Sequence, residues 1–281
     1  MSAGSWREHL AGIRPDADPV EADWWDTDWR SGTPAAIGFL LPRGFEAYAR
    51  VLHPAFDDRG PVTWATVAEA SGTLLHPEAQ WDRLAGNREL DPRGEGPEPV
   101  RWAGHEPRAG CLHRPAFEAL VEVLGRHTST PERTFVAFWV GYGTWPHAWF
   151  GLPTTRRPVR ESYLFERPVA DVVTLCAEAP AVAYALGTPI GTAVAFCSDG
   201  STRTPTPDEQ FETMAPHEWQ SPSAWWPADH AWATSNDTDL DSTLVGGSRA
   251  LVDDLLADER LEVLAWPVDG SLWSGADTLN R

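Results

Sequence analysis

The chain contains no lysine, and all 22 of its basic residues are arginines. This absence excludes chemistry that needs a lysine amine, such as a Schiff base, a phosphate-loop lysine or the lysine of protein kinases. Apolar runs are also short, and none approaches the roughly 18–20 residues of a bilayer-spanning helix. The N-terminal sequence "MSAGSWREHLAGIRPDAD" has no apolar core of the signal-peptide type. We therefore expect a cytoplasmic protein.

Cysteine is scarce, with three isolated residues, Cys111, Cys176 and Cys197. No Cys-x-x-Cys pair occurs, so neither a zinc knuckle nor a disulfide framework is indicated. Nine histidines are present, but none forms a His-x-x-x-His pair. His76 and Glu78 have the His-x-Glu spacing of an iron facial triad, a pattern that arises easily by chance. We predict no metal and no cofactor.

Positive charge is limited, since 41 acidic residues stand against 22 basic ones and the formal charge is −19. Such a chain is poorly suited to bind nucleic acid or an anionic membrane through a broad basic face. Two interpretations of the acidity stay open. It serves solubility and repulsion between copies, or it matches the positive surface of a basic partner protein.

Helical and strand-like segments are interleaved along the chain. "TWATVAEASG", with Thr63 as N-cap and Gly72 as stop, and "RPAFEALVEVLGRHT" have helical patterns. "RTFVAFWVG" and "RESYLFERP" are typical of strands that pair with each other. The pattern favours an α+β fold with a mixed, mostly antiparallel sheet flanked by helices. We divide the chain into an irregular, acidic, Trp-rich arm (1–34) and one α+β domain (35–281) with a long loop at 87–110.

Two short segments have weaker patterns. "IGFLLP", over 37–42, is compatible with a short buried strand. "GFEAYARVLHPAF", over 44–56, places apolar residues at helical spacing over a short window, and we expect a helix there.

The stretch "TDLDSTLVGGS", over 238–248, is similar to the nucleophile loop of haloacid-dehalogenase-like phosphatases, in which the first aspartate attacks phosphorus. Here "ATSND" precedes Asp239 instead of an apolar strand, little chain follows Thr243, and the lysine of that family is missing. We predict a structural strand-to-helix connection in which Asp241 and Ser248 are capping residues. The alternative is a Gly-Gly-Ser loop that binds a polar or anionic ligand.

Tryptophan is unusually abundant, with 16 Trp against 4 Tyr and 10 Phe. The strings "GYGTWPHAWFGLP" and "HEWQSPSAWWPADHAW" place several aromatic residues in loops. Either they close the core, or they line a groove for a flat or cationic ligand, a sugar or a protein hot spot. The candidate ligand-binding residues are Tyr142, Trp145, His147, Trp149, Arg160, Trp225, Trp226, His230, Asp239 and Asp241.

The strings "LPRGFEAYARVLHPAF", "HTSTPERTFVAFWVGYG", "RESYLFERP" and "SPSAWWPADHAWATSNDTDLDSTLVGGS" resemble an uncharacterised actinobacterial hypothetical-protein family. The resemblance covers most of the chain beyond residue 35. It implies no activity and transfers no catalytic residue to this sequence.

Our leading hypothesis is a non-catalytic cytosolic interaction protein, of immunity or regulatory type, that binds a basic partner protein through an acidic, Trp-rich surface. One alternative is an accessory enzyme that acts on a small aromatic or glycosylated metabolite. It predicts a cavity lined by Trp145, Trp149, Trp225 and Trp226 that also holds a titratable group. A carbohydrate-binding module would have the same cavity without that group. The sequence contains no complete catalytic constellation and leaves enzymatic activity open.

Overall fold

A seven-stranded antiparallel sheet forms the centre of the molecule. The computed structural model describes residues 15–27, 35–86, 102–142, 153–156, 160–178, 195–196, 202–203, 219–273 and 275–280. In spatial order the strands are β11 (Val263–Ala265), β1 (Ala47–Leu52), β10 (Ser242–Gly247), β9 (Ala233–Ser235), β8 (Ala224–Pro227), β4 (Thr134–Trp139) and β5 (Ser162–Arg167). Strands β2 (Ala55–Asp57) and β3 (Gly60–Val62) form a separate hairpin, and so do β6 (Ala195–Phe196) and β7 (Thr202–Arg203). The predicted α+β class is confirmed.

Helices cover one face of this sheet. The described residues contain five α-helices: α1 (Trp64–Ser71), α2 (Trp81–Leu84), α3 (Arg114–Gly125), α4 (172–178) and α5 (Arg249–Ala257). Helices α3, α4 and α5 share one apolar core with side chains of β1, β4, β5, β8 and β10. The apolar stripe of α3, including Phe117, Leu120 and Leu124, is buried in this core. Helices α1 and α2 form a smaller core of their own beside the end of β1.

The opposite face is covered by the N-terminal segment instead of by helices. Residues 15–27 contain one short 3-10 turn, Pro19–Ala22, and they place Trp25 fully buried against Trp226, with ring centroids 5.3 Å apart. Ile37, Leu41 and Trp266 complete this core. The described part of the predicted Trp-rich arm therefore packs on the sheet as its second layer. Residues 1–14 and 28–34 of that arm lie outside the described residues.

The predicted ends of α1 and the pairing of two strands are confirmed. The Thr63 side chain accepts a hydrogen bond from the backbone N–H of Thr66 at 3.2 Å. Gly72 ends α1 in the left-handed region, at φ 68°, which glycine adopts without steric cost. Strands β4 and β5 pair in antiparallel fashion, with Phe138 opposite Tyr163.

The structure corrects two local predictions. The segment 44–56, expected as a helix, contains strand β1, which lies between β10 and β11 and is buried at all six positions. Tertiary pairing on both sides outweighs a helical pattern that is only a few residues long. The segment 37–42 is not a strand of the sheet; it turns tightly, with an isolated bridge between Ile37 and Leu41.

The phosphatase-like stretch is mostly strand and not a connecting loop. Residues Ser242–Gly247 form β10, between β1 and β9. Of the two predicted capping residues, only Ser248 is confirmed. It caps α5, and its Oγ accepts a hydrogen bond from the N–H of Leu251 at 3.1 Å. Gly246 and Gly247 provide space instead of special dihedrals, since a Cβ at either position would overlap the side chain of Phe45 or Leu251.

Candidate functional site

Four of the predicted ligand-binding residues cannot be placed with their side chains. Trp145, His147 and Trp149 lie outside the described residues. Tyr142 is described by its backbone alone, as the last residue of a 3-10 turn, Val140–Tyr142, that follows β4.

Trp225 and Trp226 are core residues, which contradicts the expectation that they line one cavity. They are consecutive on β8 and therefore point to opposite faces of the sheet, and both are fully buried. Trp225 packs against Trp232 at 4.7 Å, and its indole N–H donates to Thr134 Oγ1 at 2.8 Å. Trp226 packs against the N-terminal segment on the other side.

His230 lies at the other end of the sheet from Arg160. It follows β8 with φ 53°, and its ring stacks on Trp24 with centroids 4.0 Å apart. Burial lowers its pKa, against the opposing charges of Asp229 and Glu21. Pro227, three residues before His230, pairs with Thr134 at the start of β4. The end of β4 and Arg160 therefore lie at the opposite ends of the strands, which we call the far edge of the sheet.

Two of the three remaining candidates, Arg160 and Asp239, line an open groove at that far edge, where β4 and β9 end and β5 and β10 begin. The groove has a volume of about 760 Å³. Three carboxylates and one guanidinium line it, together with aromatic and aliphatic side chains, and we call it the acidic groove. Its lining residues are Ala36, Phe39, Leu40, Trp139, Arg160, Glu161, Asp237, Asp239, Leu240, Leu272 and Trp273.

Arg160 is held in the acidic groove by two carboxylates and one indole. Its Nε and Nη2 donate to the two carboxylate oxygens of Asp237 at 3.0 Å each, and Nη2 also contacts Asp239 at 3.0 Å. The guanidinium carbon lies 4.5 Å from the ring centre of Trp139. Bidentate carboxylate pairing and stacking on an indole are the two preferred ways to bind a guanidinium. Asp237, Asp239 and Trp139 therefore bind the guanidinium of Arg160 by both of these means.

Several groups of the acidic groove are open to solvent. The side chain of Asp239 is 80% exposed and that of Arg160 is 33% exposed, whereas Asp237 is only 12% exposed. Trp273 is 54% exposed, and the centre of its ring lies 6.1 Å from that of Phe39. Asp239 and Trp273 can thus contact a second molecule without rearrangement of the core.

Below the guanidinium lies a hollow of about 20 Å³, bordered by Asn236 and by Ser162, Ser223 and Ser235. Asn236 is buried, and its amide Nδ2 donates to Ser221 Oγ at 3.0 Å. The other end of this amide, Oδ1, receives no hydrogen bond from the described residues. A space of this size accommodates one small polar group, such as a water molecule. Asn236, which borders this hollow, therefore has one buried hydrogen-bond acceptor without a partner among the described residues.

Asp241 takes part in a separate, buried arrangement around Arg50. Arg50 Nη2 donates to Asp241 at 3.1 Å, Nε donates to Ser242 Oγ at 2.9 Å, and Nη1 donates to the carbonyls of Pro77 and Ala79. The rings of Trp64 and Trp266 lie 5.2 and 5.7 Å from its guanidinium carbon. Burial raises the pKa of Asp241, and the charge of Arg50 opposes this effect.

We call this arrangement the Arg50 cluster. It borders a second cavity of about 640 Å³ that shares Asp239, Leu240 and Leu272 with the acidic groove. Asp82, Glu106 and Arg108 also line that cavity. The two aspartates of the phosphatase-like stretch therefore pair with different arginines, Asp239 with the partly exposed Arg160 and Asp241 with the buried Arg50.

No protein-family model, no curated protein and no solved structure matches this chain. Among the residues that the structure describes, no three histidine, cysteine, aspartate or glutamate side chains are grouped closely enough to hold a metal ion. Within the same residues, no helix is both long and apolar enough to cross a bilayer. The resemblance to the actinobacterial family stays a prediction.

Sequence reasoning selected two of the eleven residues that line the acidic groove, Arg160 and Asp239. Four of the nine that it missed are Phe39, Glu161, Asp237 and Trp273. They come from four separate segments, and only the antiparallel order of the strands brings those segments to one edge of the sheet. A signal existed for Asp237 alone, because it belongs to the same acidic run as Asp239.

Proposed function

We propose that this protein is a non-catalytic cytoplasmic interaction protein, of immunity or regulatory type, that binds a basic partner protein through the acidic groove. One observation carries the proposal: the groove already binds a guanidinium, that of Arg160, between two carboxylates and over an indole. The same edge offers the exposed carboxylate of Asp239 and the exposed ring of Trp273 to a second cation.

Electrostatics supports a basic ligand at this place. The acidic groove has three carboxylates against one arginine, and the chain as a whole has a formal charge of −19. Clustered charge of one sign steers an oppositely charged partner and speeds its association, more strongly at low salt. Exposed tryptophan adds apolar area and a face for cation–π contact, both common at interface hot spots.

The two other hypotheses from the sequence lose their main support. Both the accessory enzyme and the carbohydrate-binding module relied on a cavity shared by Trp225 and Trp226 with two further tryptophans. These two rings are buried on opposite faces of the sheet. We therefore propose neither.

A peptide-binding experiment tests the proposal. Fluorescence anisotropy of a labelled arginine-rich peptide, with a glutamate-rich peptide of equal length as comparison, measures affinity at low and high salt. We expect the basic peptide alone to bind, and its affinity to fall as salt rises, because exposed charges are screened.

Asp239→Asn provides the matched variant, and Asp253→Asn on α5 is its control, because both remove one exposed negative charge. We expect Asp239→Asn to weaken binding about three- to fivefold, in line with about 0.7–1 kcal/mol for an exposed ion pair. Asp253→Asn should change affinity less than about twofold. Equal effects of the two variants, or equal binding of the acidic peptide, would overturn the proposal.

A further inference from the structure

A small cavity of about 220 Å³ lies apart from the acidic groove, between the end of β1, the hairpin strand β2 and the start of α3. The ring of Phe56 meets that of His113 edge to face at 5.3 Å, and Trp219 forms another side. A closed apolar cavity of about 150 Å³ is enough to bind benzene. The full lining is His53, Pro54, Phe56, Arg108, Cys111, His113, Arg114 and Trp219.

The charge of this cavity is opposite to that of the molecule. None of its eight described lining residues is acidic, although acidic residues outnumber basic ones by 41 to 22 in the chain. Two of the eight are arginines. The guanidinium carbon of Arg114 lies 5.6 Å from the ring centre of Trp219. Its Nε pairs with Glu118 Oε1, on the same helix, at 2.8 Å. Arg108 is exposed and forms no ion pair with any described residue.

His53 forms an uncharged wall and holds the rim of the cavity in place. A backbone carbonyl can only accept, so Nδ1–H of His53 donates to the carbonyl of Arg108 at 2.9 Å. Nε2 then accepts from the hydroxyl of Thr243 at 3.0 Å. Burial lowers the pKa of His53 to about 4, so the ring is neutral at neutral pH. Any anion in the cavity is therefore balanced by the arginines at its rim.

We propose that this cavity binds a small planar carboxylate of the size of benzoate. Its ring lies between Phe56 and Trp219, and its carboxylate faces Arg108. Apolar walls with one or two placed polar groups are the usual form of a small-molecule site, and a guanidinium is the preferred partner of a carboxylate. The cavity shares no lining residue with the acidic groove, although Arg108 also borders the cavity beside the Arg50 cluster. The proposal does not depend on a basic partner in the acidic groove.

Isothermal titration with benzoate tests the proposal, with the neutral isostere benzamide as comparison. For a ligand of this size we expect a Kd on the order of 1 mM. Benzoate should bind about tenfold more tightly than benzamide, because a hydrogen bond to a charged group contributes more than a neutral one. In a ¹⁵N-labelled sample, the indole N–H signal of Trp219 should shift on addition of benzoate, and that of Trp273 should not.

Arg108→Gln should remove most of the preference for benzoate over benzamide. Arg59→Gln is the control, since it removes the same charge from an exposed arginine that does not line the cavity. Arg108 is exposed, so the variant should fold, and the unchanged binding of benzamide verifies this. The proposal is overturned if no binding is detected at a benzoate concentration of about ten times the expected Kd. It is equally overturned if benzamide binds as tightly as benzoate, if Arg108→Gln leaves the preference intact, or if only Trp273 responds.

Discussion

Arg50 and Arg160 have the same chemistry in two very different environments. Each pairs with an aspartate of one acidic run, and each lies over tryptophan. Arg50 is buried and also donates to two backbone carbonyls and a serine, whereas Arg160 is one-third exposed in an open groove. Exposure, and not residue type, therefore distinguishes the structural Arg50 cluster from the recognition site that we propose around Arg160.

The largest effect on stability should come from substitution of the buried arginine, Arg50. Arg50→Gln leaves Asp241 and the carbonyls of Pro77 and Ala79 without their donor. We expect the free energy of unfolding to fall by about 3–5 kcal/mol, as when one partner of a buried ion pair is removed. Urea denaturation measures it. A loss below about 1 kcal/mol would show that the Arg50 cluster does not hold the fold together.

Acid should weaken the same region through His53. Its pKa is about 4 in the folded protein against 6.5 in the unfolded chain, because the buried ring resists protonation. Between these values the unfolded chain binds the extra proton. Stability is therefore complete above pH 6.5 and declines as the pH falls toward 4, by about 3 kcal/mol in total.

His53→Gln isolates this contribution from that of the other titrating groups. Its unfolding free energy, measured at a series of pH values, should decline less steeply than that of the wild type over the same pH range. Parallel curves for the two proteins would exclude His53 as the source of the acid sensitivity.

Substitution of the exposed arginine, Arg160, should affect stability far less. In Arg160→Gln the free energy of unfolding should change by less than about 1 kcal/mol, because a partly exposed ion pair is screened by solvent. The same substitution makes the acidic groove more negative and frees Asp239. We expect the arginine-rich peptide to bind about two- to threefold more tightly by anisotropy. Weaker binding would mean that Arg160 contacts the peptide instead of competing with it.

The smallest effect on stability is expected at Trp273, which is 54% exposed. Trp273→Ala should change the unfolding free energy by no more than about 0.5 kcal/mol. Its peptide affinity should nevertheless fall about threefold, the value of one exposed cation–π contact. An unchanged affinity would restrict the binding surface to the carboxylates.

The sequence predicted those elements whose signals are local. The cap at Thr63, the stop at Gly72 and the stripe of α3 depend on neighbours a few residues apart, and all are confirmed. Strand β1 was missed because its burial depends on β10 and β11, whose paired residues lie 190 to 216 positions further along the chain (Leu52 with Ser242, Ala49 with Ala265).

Prediction of the acidic groove was limited in the same way, by contacts between residues far apart in the chain. Arg160 and Asp239 were selected from their residue types, but the groove that joins them to Trp139 and Trp273 arises from strand order. Trp225 and Trp226 were misassigned for a related reason. Adjacent tryptophans in a loop would share a surface, whereas in strand β8 they occupy opposite faces.

Binding of a basic partner in the acidic groove can be observed in a single titration. The arginine-rich peptide is added to ¹⁵N-labelled protein while the indole N–H signals are followed. We expect the signals of Trp139 and Trp273 to shift with a common saturation curve, while those of the buried Trp225 and Trp226 stay in place. Saturating shifts confined to indoles outside the groove would contradict this expectation.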